Sequence, residues 1–418
     1  MSSRLSSWLV LLIAVLGVAI LAALTFANLR FTEGARDANA FLPRWAGAHA
    51  WLTQQRSPYD PRVSLYAQTT LYGRPANPAQ GEDRALFAHP LPVMLFYAGF
   101  GLLDYPVGRA VWMTLLEVAL PVSALLAIRL SGGRWPAVPT VMLLIMSLAW
   151  SPGVRAVVAG SAAPLALLFS LTSLLLAQRH WDLAAGVVLA LAMVDPLPGL
   201  MLFVAVFIWG ISNRHRMIPF AAAGSVVILV AASLVLLPGW PIEWLRQLAG
   251  WVGLGTAAPP PSDWPVLQPG LLPEVVLGVL LLAIFWSSWP RMGGGTRTLV
   301  WTAAFTLVVA DWVGVLVLGR ASLVYLLLAL VLILGVLTRR GHTTGSWLGT
   351  IGIVLAALVS WAPALLSFES EGFGVAGASI GLFAAALGLL WVRWWVTRGA
   401  EIRTYAGEPG GMARSDWA

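Results

Sequence analysis

The sequence predicts an all-α polytopic membrane protein, a bundle of about twelve transmembrane helices with a long first extracytoplasmic loop. Three observations carry that reading. Hydrophobic residues make up 59% of the 418 and charged residues only 10%, whereas a soluble domain of this size has about a quarter charged residues. Mean hydropathy is +0.82, and apolar runs of about 18 or more residues recur along the chain. The arginines are segregated by side, as in proteins that obey the positive-inside rule.

The elements follow in order. Arg4 precedes an apolar stretch from Trp8 to Leu29, longer than the roughly 7 to 15 residues of a signal-peptide core, so an uncleaved anchor is expected. Spans are predicted near 8–29, 107–129, 137–150, 162–177, 183–194, 196–210, 217–237, 272–289, 298–318, 322–337, 346–367 and 375–396. The stretch 88–103 is apolar but short and opens His89-Pro90-Leu91-Pro92, which reads as a re-entrant or interfacial helix. With the N-terminus cytoplasmic, the short outer loops receive only Arg109, Arg155, Arg246 and Arg320, and the inner ends take most of the rest. If 88–103 crossed the membrane, that bias would largely reverse. Both termini are therefore expected in the cytoplasm and the protein in the plasma membrane.

One membrane domain is expected over 1–396, with outer loops 30–103 and 238–271 and a disordered cytoplasmic tail at 397–418. The first loop holds a helix-like stretch at 44–54 and the turn Ser57-Pro58-Tyr59-Asp60-Pro61. The second is rich in proline and tryptophan, and tryptophan favours the membrane–water boundary.

Composition excludes several functions. There is no cysteine, hence no disulfide, thiolate zinc site or cysteine nucleophile. All of the net charge of +7 comes from arginine, spread between apolar segments rather than along one stripe, so no nucleic-acid partner is expected. No nucleotide, zincin or serine-hydrolase motif occurs. No cofactor is implied, though a divalent metal stays open: His49 and His89 share a predicted side but lack close ligand spacing.

Candidate chemistry lies with the ionisable residues. Glu33 and Asp37 are one helical turn apart just after the first span, where a carboxylate can take a proton from an acceptor hydroxyl. The alternative is a pair neutralised by Arg30, Arg36 or Arg44. Glu117 and Asp311 lie inside spans, where charge is costly unless paired or hydrated. Asp195, in Val194-Asp195-Pro196, reads equally as a helix N-cap or as a functional group. Arg155 and Arg320, alone in short outer loops, suit a lipid phosphate or simple snorkelling.

The order of features resembles glycosyltransferase family 87, polyprenyl-phosphate-mannose-dependent enzymes of the GT-C superfamily. The resemblance rests on Asp37, Phe41-Leu42-Pro43-Arg44-Trp45-Ala46-Gly47, Ser57-Pro58-Tyr59-Asp60-Pro61, Phe87-Ala88-His89-Pro90-Leu91-Pro92 and Ala110-Val111-Trp112. It is clearest over about 30–130. It implies Asp37 as the catalytic acid–base residue, with Glu33, Tyr59, His89, Arg155, Ser161, Asp195 and Arg320 toward substrate. Three positions depart from the pattern: His89 replaces a tyrosine, Ser161 follows Gly160 where the family has glutamine, and Asp195 replaces a lysine.

The expectation is a membrane glycosyltransferase moving a hexose from a polyprenyl-phosphate donor to an extracytoplasmic lipid or glycan acceptor, in contact with membrane lipids. The rivals are a non-catalytic lipid or glycan carrier using Glu117, Asp195 and Asp311, and a degenerate transferase fold acting as an assembly partner.

Overall fold

Runs of leucine, alanine and valine in a medium that cannot satisfy backbone polar groups leave the helix as the local solution. The computed structural model describes residues 7–34, 40–77, 82, 84–132, 135–251, 295–318, 322–338, 344–366 and 384–392. Among these the regular structure is helical throughout. Asp37, Arg320, the predicted span 272–289, the second loop beyond 251 and the tail 397–418 lie outside the described residues.

The helices are α1 (Ser7–Gly34), α2 (Phe41–Gln54), α3 (Pro61–Tyr72), α4 (Leu91–Met94), α5 (Ala98–Gly101), α6 (Tyr105–Leu130) and α7 (Ala137–Ala149). They continue as α8 (Ser151–Val158), α9 (Ala163–Gln178), α10 (Asp182–Leu191), α11 (Pro196–Ser212), α12 (Met217–Leu236) and α13 (Trp240–Trp251). The last three are α14 (Thr296–Leu318), α15 (Leu326–Thr338) and α16 (Thr344–Leu366).

Among the described residues, four helices have the length and apolarity to cross a membrane: Ala14–Glu33, Tyr105–Leu130, Met217–Leu236 and Gly345–Ala362. A fifth follows if α7 and α8, bent by 41°, form one broken span. The segments expected as spans at 162–177, 183–194, 196–210 and 322–337 are helical, but belong to helices of 10–17 residues. Length therefore supports a membrane protein without reaching the expected count of about twelve. Local chemistry explains the shortness. Proline at 196 and 198 opens α11 and breaks the apolar run that begins in α10.

The chain forms two compact units. The first comprises Met1–Val118, Val157–Ser161 and Leu237–Ala257. Its core is aromatic. Phe41 stacks on Trp112 at 5.6 Å between ring centroids and meets Tyr97, Phe100 and Tyr105. Each such buried ring contributes about 1.5 to 3 kcal/mol. The Trp112 indole donates to Gly160 O at 3.1 Å, and the Ala40 amide donates to Ala159 O at 2.8 Å. Gly160 has φ +65°, and a Cβ there would stand 2.8 Å from Phe41 Cβ, so only glycine satisfies both the backbone and the packing. α1 keeps most of its apolar surface outside the protein, with Trp8 80% exposed, as suits a helix solvated by lipid. Asn28 pins it to α6, donating to Glu117 Oε2 at 2.9 Å and Thr114 Oγ1 at 3.1 Å.

The second unit comprises Ala119–Ala156, Ala162–Leu236 and Ala258–Ala418. There α10 packs between α9 and α12, α11 against α14, and α16 against α7. Trp361 donates its indole N–H to Ala149 O at 3.0 Å, and Ser360 Oγ accepts the Ser151 amide. These bonds satisfy backbone groups left open where α7 breaks before α8.

Candidate functional site

The site in the first unit begins at the turn after α2. Asp60 takes the N-cap position of α3, its Oδ1 accepting the Arg62 amide at 2.8 Å, and Pro61 fills the first helical position. That cap orients the preceding Tyr59, whose hydroxyl donates to His89 O at 2.9 Å. Burial, with the Glu243 carboxylate nearby, holds the Tyr59 hydroxyl far above its ordinary pKa, so it stays a donor. The turns carrying Tyr59 and His89 are further tied by α13. Trp244 Nε1 donates to Ala88 O at 3.1 Å, and Ser57 Oγ donates to Glu243 Oε2.

Arg44 sits at the centre of this arrangement. It lies on α2, which is anchored by buried Phe41, Leu42 and Trp45. Its Nε donates to His89 Nε2 at 3.1 Å, and its Nη1 donates to Tyr97 OH at 3.1 Å. The guanidinium also stands 5.5 Å from the centre of the Tyr97 ring. Burial, then the Arg44 charge, pushes the His89 pKa well below its usual value. His89 is therefore neutral, with Nε2 as acceptor and the proton on Nδ1. No carboxylate pairs with Arg44 among the described residues. Three of its five N–H groups are left without a partner there. A guanidinium aimed by two neutral groups can use its remaining N–H groups to receive an anion.

The other expected residues are placed as follows. Glu33 is exposed and pairs with Arg30 at 3.1 Å, the neutralised alternative for that carboxylate. Ser161 belongs to the short connection 157–161, next to Gly160 and so beside the start of α2. Arg155 is exposed on α8, in the second unit. Glu117 makes the interhelical bond to Asn28 described above.

Asp195 holds the N-cap position of α11, but its side chain caps nothing. Its Oδ2 instead accepts the Tyr325 hydroxyl at 2.8 Å. Asp311, 4% exposed, lies close enough for the two carboxylates to repel, and its Oδ1 accepts the Ser322 amide at 3.1 Å. These two acids thus share one polar cluster in the second unit, with Tyr325 between α14 and α15. Among the described residues, no group of three or more histidines or acids could hold a metal ion. His49 and His89 have separate partners, His49 Nδ1 donating to Gly101 O at 2.8 Å.

Three residues of the first site escaped the sequence reading: Tyr97, Glu243 and Arg44 as an anion receptor. Arg44 was in view within Phe-Leu-Pro-Arg-Trp-Ala-Gly, but only as a partner for acids. Tyr97 and Glu243 had no local signal.

Apolar helices of spanning length, with a polar site folded from segments that connect them, define a membrane protein that presents an anion-receptive site. The family model of glycosyltransferase family 87 matches residues 87–268, and the activity class this chain carries is accordingly sugar transfer. The match starts at Phe87, runs through α13 and covers somewhat under half of the chain. It thus extends further into the later helices than the resemblance over 30–130, and leaves Asp37, Arg44 and Tyr59 outside it. No curated protein and no solved structure matches the chain.

Proposed function

We propose that the protein transfers a hexose, mannose being the first to try, from a polyprenyl-phosphate carrier to an acceptor hydroxyl on the extracytoplasmic side of the plasma membrane. The observation that supports this best is the Arg44–His89–Tyr97 arrangement, a guanidinium with no acid partner among the described residues, supported by the His89-Pro90 turn at the start of the family match. In this reading the acceptor oxygen attacks the anomeric carbon, and the bond from that carbon to the phosphate oxygen breaks. The phosphate oxygen keeps the electron pair, and Arg44 stabilises the charge that gathers there. Arg155 and Arg320 remain further candidates for the lipid phosphate. Asp37 takes the acceptor's proton. That role rests on its position in the sequence, one turn from Glu33 and between α1 and α2.

The test is a transfer assay with purified protein and polyprenyl-phosphate hexoses. Asp37→Asn should lower turnover by about a hundredfold to ten-thousandfold, while Glu33→Gln does much less. Near-normal turnover of Asp37→Asn would remove it as the base. No transfer by the unaltered protein from any donor, together with flipping of a labelled lipid in vesicles, would favour the carrier reading, for which the Asp195–Asp311 cluster speaks.

A further inference from the structure

A second basic site lies elsewhere in the first unit, between the end of α2 and the start of α3. A cavity of about 240 Å³ opens there, with a floor of small apolar residues and a rim that includes His49, Gln54, Arg56, Arg62 and Tyr66. Its two cations are set by the backbone. The chain leaves α2 through Gln55 in the left-handed region, φ 53°, and the Arg56 amide returns to Ala50 O at 3.1 Å. Arg62 is fixed at the other side of the turn by the Asp60 cap. Asp60 accepts the Arg62 amide and forms no ion pair with its guanidinium. Neither Arg56 nor Arg62 pairs with any acid among the described residues. Two like charges held at one cavity without a counter-ion repel each other unless an anion joins them.

The rest of the rim narrows the ligand. Because the Gly101 carbonyl can only accept, His49 Nδ1 donates to it and leaves Nε2 for other contacts. Gln54 and the Tyr66 hydroxyl add donors and acceptors suited to sugar or polyol hydroxyls. Beside them Leu52, Leu65 and Tyr66 are exposed, at 36%, 44% and 50%. Apolar side chains flanking paired arginines suit the boundary between headgroups and acyl chains.

We propose that this cavity binds a phosphate ester on the polyhydroxylated headgroup of an anionic lipid. Arg56 and Arg62 hold the phosphate, while His49, Gln54 and Tyr66 meet the hydroxyls. The site is separate from the Arg44 arrangement and does not require that sugar transfer proceed as described above.

The experiment uses the full-length protein in neutral detergent, titrated with short-chain phosphatidylinositol, short-chain phosphatidylcholine, inositol 1-phosphate and inorganic phosphate, with binding followed by native mass spectrometry. Saturable binding of phosphatidylinositol is expected, at least tenfold tighter than of the other three. It should weaken at least tenfold in R56Q/R62Q, partly recover in R56K/R62K, and be unchanged in R246Q, which removes one arginine charge elsewhere. Thermal unfolding of each variant checks that it is folded; both arginines are exposed, so little change is expected. Equal binding by R56Q/R62Q and the parent would overturn the site. Equal affinity for inositol 1-phosphate would overturn the lipid assignment, and equal affinity for inorganic phosphate the headgroup assignment.

Discussion

The two polar clusters are opposites in charge. In the first unit Arg44 is a cation supported by neutral partners, His89 and Tyr97, and pairs with no acid among the described residues. In the second, Asp195 and Asp311 are two acids in one place, supported by the Tyr325 hydroxyl and a backbone amide. Each uses a tyrosine hydroxyl as one partner of its charged group. The first arrangement is suited to an anionic group such as a phosphate. Where family 87 enzymes are expected to carry a lysine, this chain has Asp195, and the cation duty passes in our reading to Arg44.

The largest expected effect separates the two clusters. Arg44→Gln should lower kcat/KM for a polyprenyl-phosphate sugar by about tenfold to a hundredfold, since a charge-assisted contact is worth roughly 1.5 to 3 kcal/mol. Arg44→Lys should recover only part, because lysine cannot bond His89, Tyr97 and an anion in one plane. Unchanged kinetics in Arg44→Gln, with loss in Asp195→Asn, would reverse the assignment of the two clusters.

Next in size is Gly160→Ala. A methyl group there must occupy a left-handed backbone and press on Phe41, so the first unit should lose about 2 kcal/mol or more. Thermal unfolding should show it, with the second unit's transition unmoved if the units unfold separately. Tyr325→Phe should cost the second unit about 1 to 3 kcal/mol by leaving an acceptor of Asp195 unsatisfied, while donor affinity in the transfer assay stays at the parental value. A fall in donor affinity would bring the second cluster into the substrate site.

The smallest effect is on pH dependence. His89 stays neutral in the fold, whereas in the unfolded chain it takes up a proton below about 6.5. The unfolded state then binds more protons, so stability falls as pH drops below that value and is flat above it. Denaturant unfolding between pH 5 and 8 should show the fall, and His89→Gln should reduce it. An identical pH profile in the variant would mean that His89 titrates alike in the folded and unfolded chain.

The parts of this protein readable from sequence are those that depend on near neighbours. The apolar runs placed α6, α12 and α16 within a few residues, and Pro196 marked the start of α11. Asp60-Pro61 announced a helix start for the same local reason. The number of membrane crossings was less legible where prolines and acids divide an apolar stretch, because hydropathy reports composition and not continuity. The site was legible only as separate residues. Tyr59 and His89 were named, but nothing local reveals that Arg44 reaches His89 across 45 positions or that Ser57 meets Glu243 across 186. Asp195 shows the same limit: a proline after it suggested a cap, while its partner lies 130 residues away in Tyr325.

The ties between α13 and the two turns have a bearing on biogenesis. Trp244 closes on Ala88, 156 residues upstream. At about 5 to 20 residues per second, translation delivers that tryptophan roughly 8 to 30 s after the turn it must meet. For that interval Ala88 and Ser57 lack the groups that finally hold them, while several hydrophobic helices leave the ribosome in between. The first unit therefore stays open at these two turns until α13 has been made.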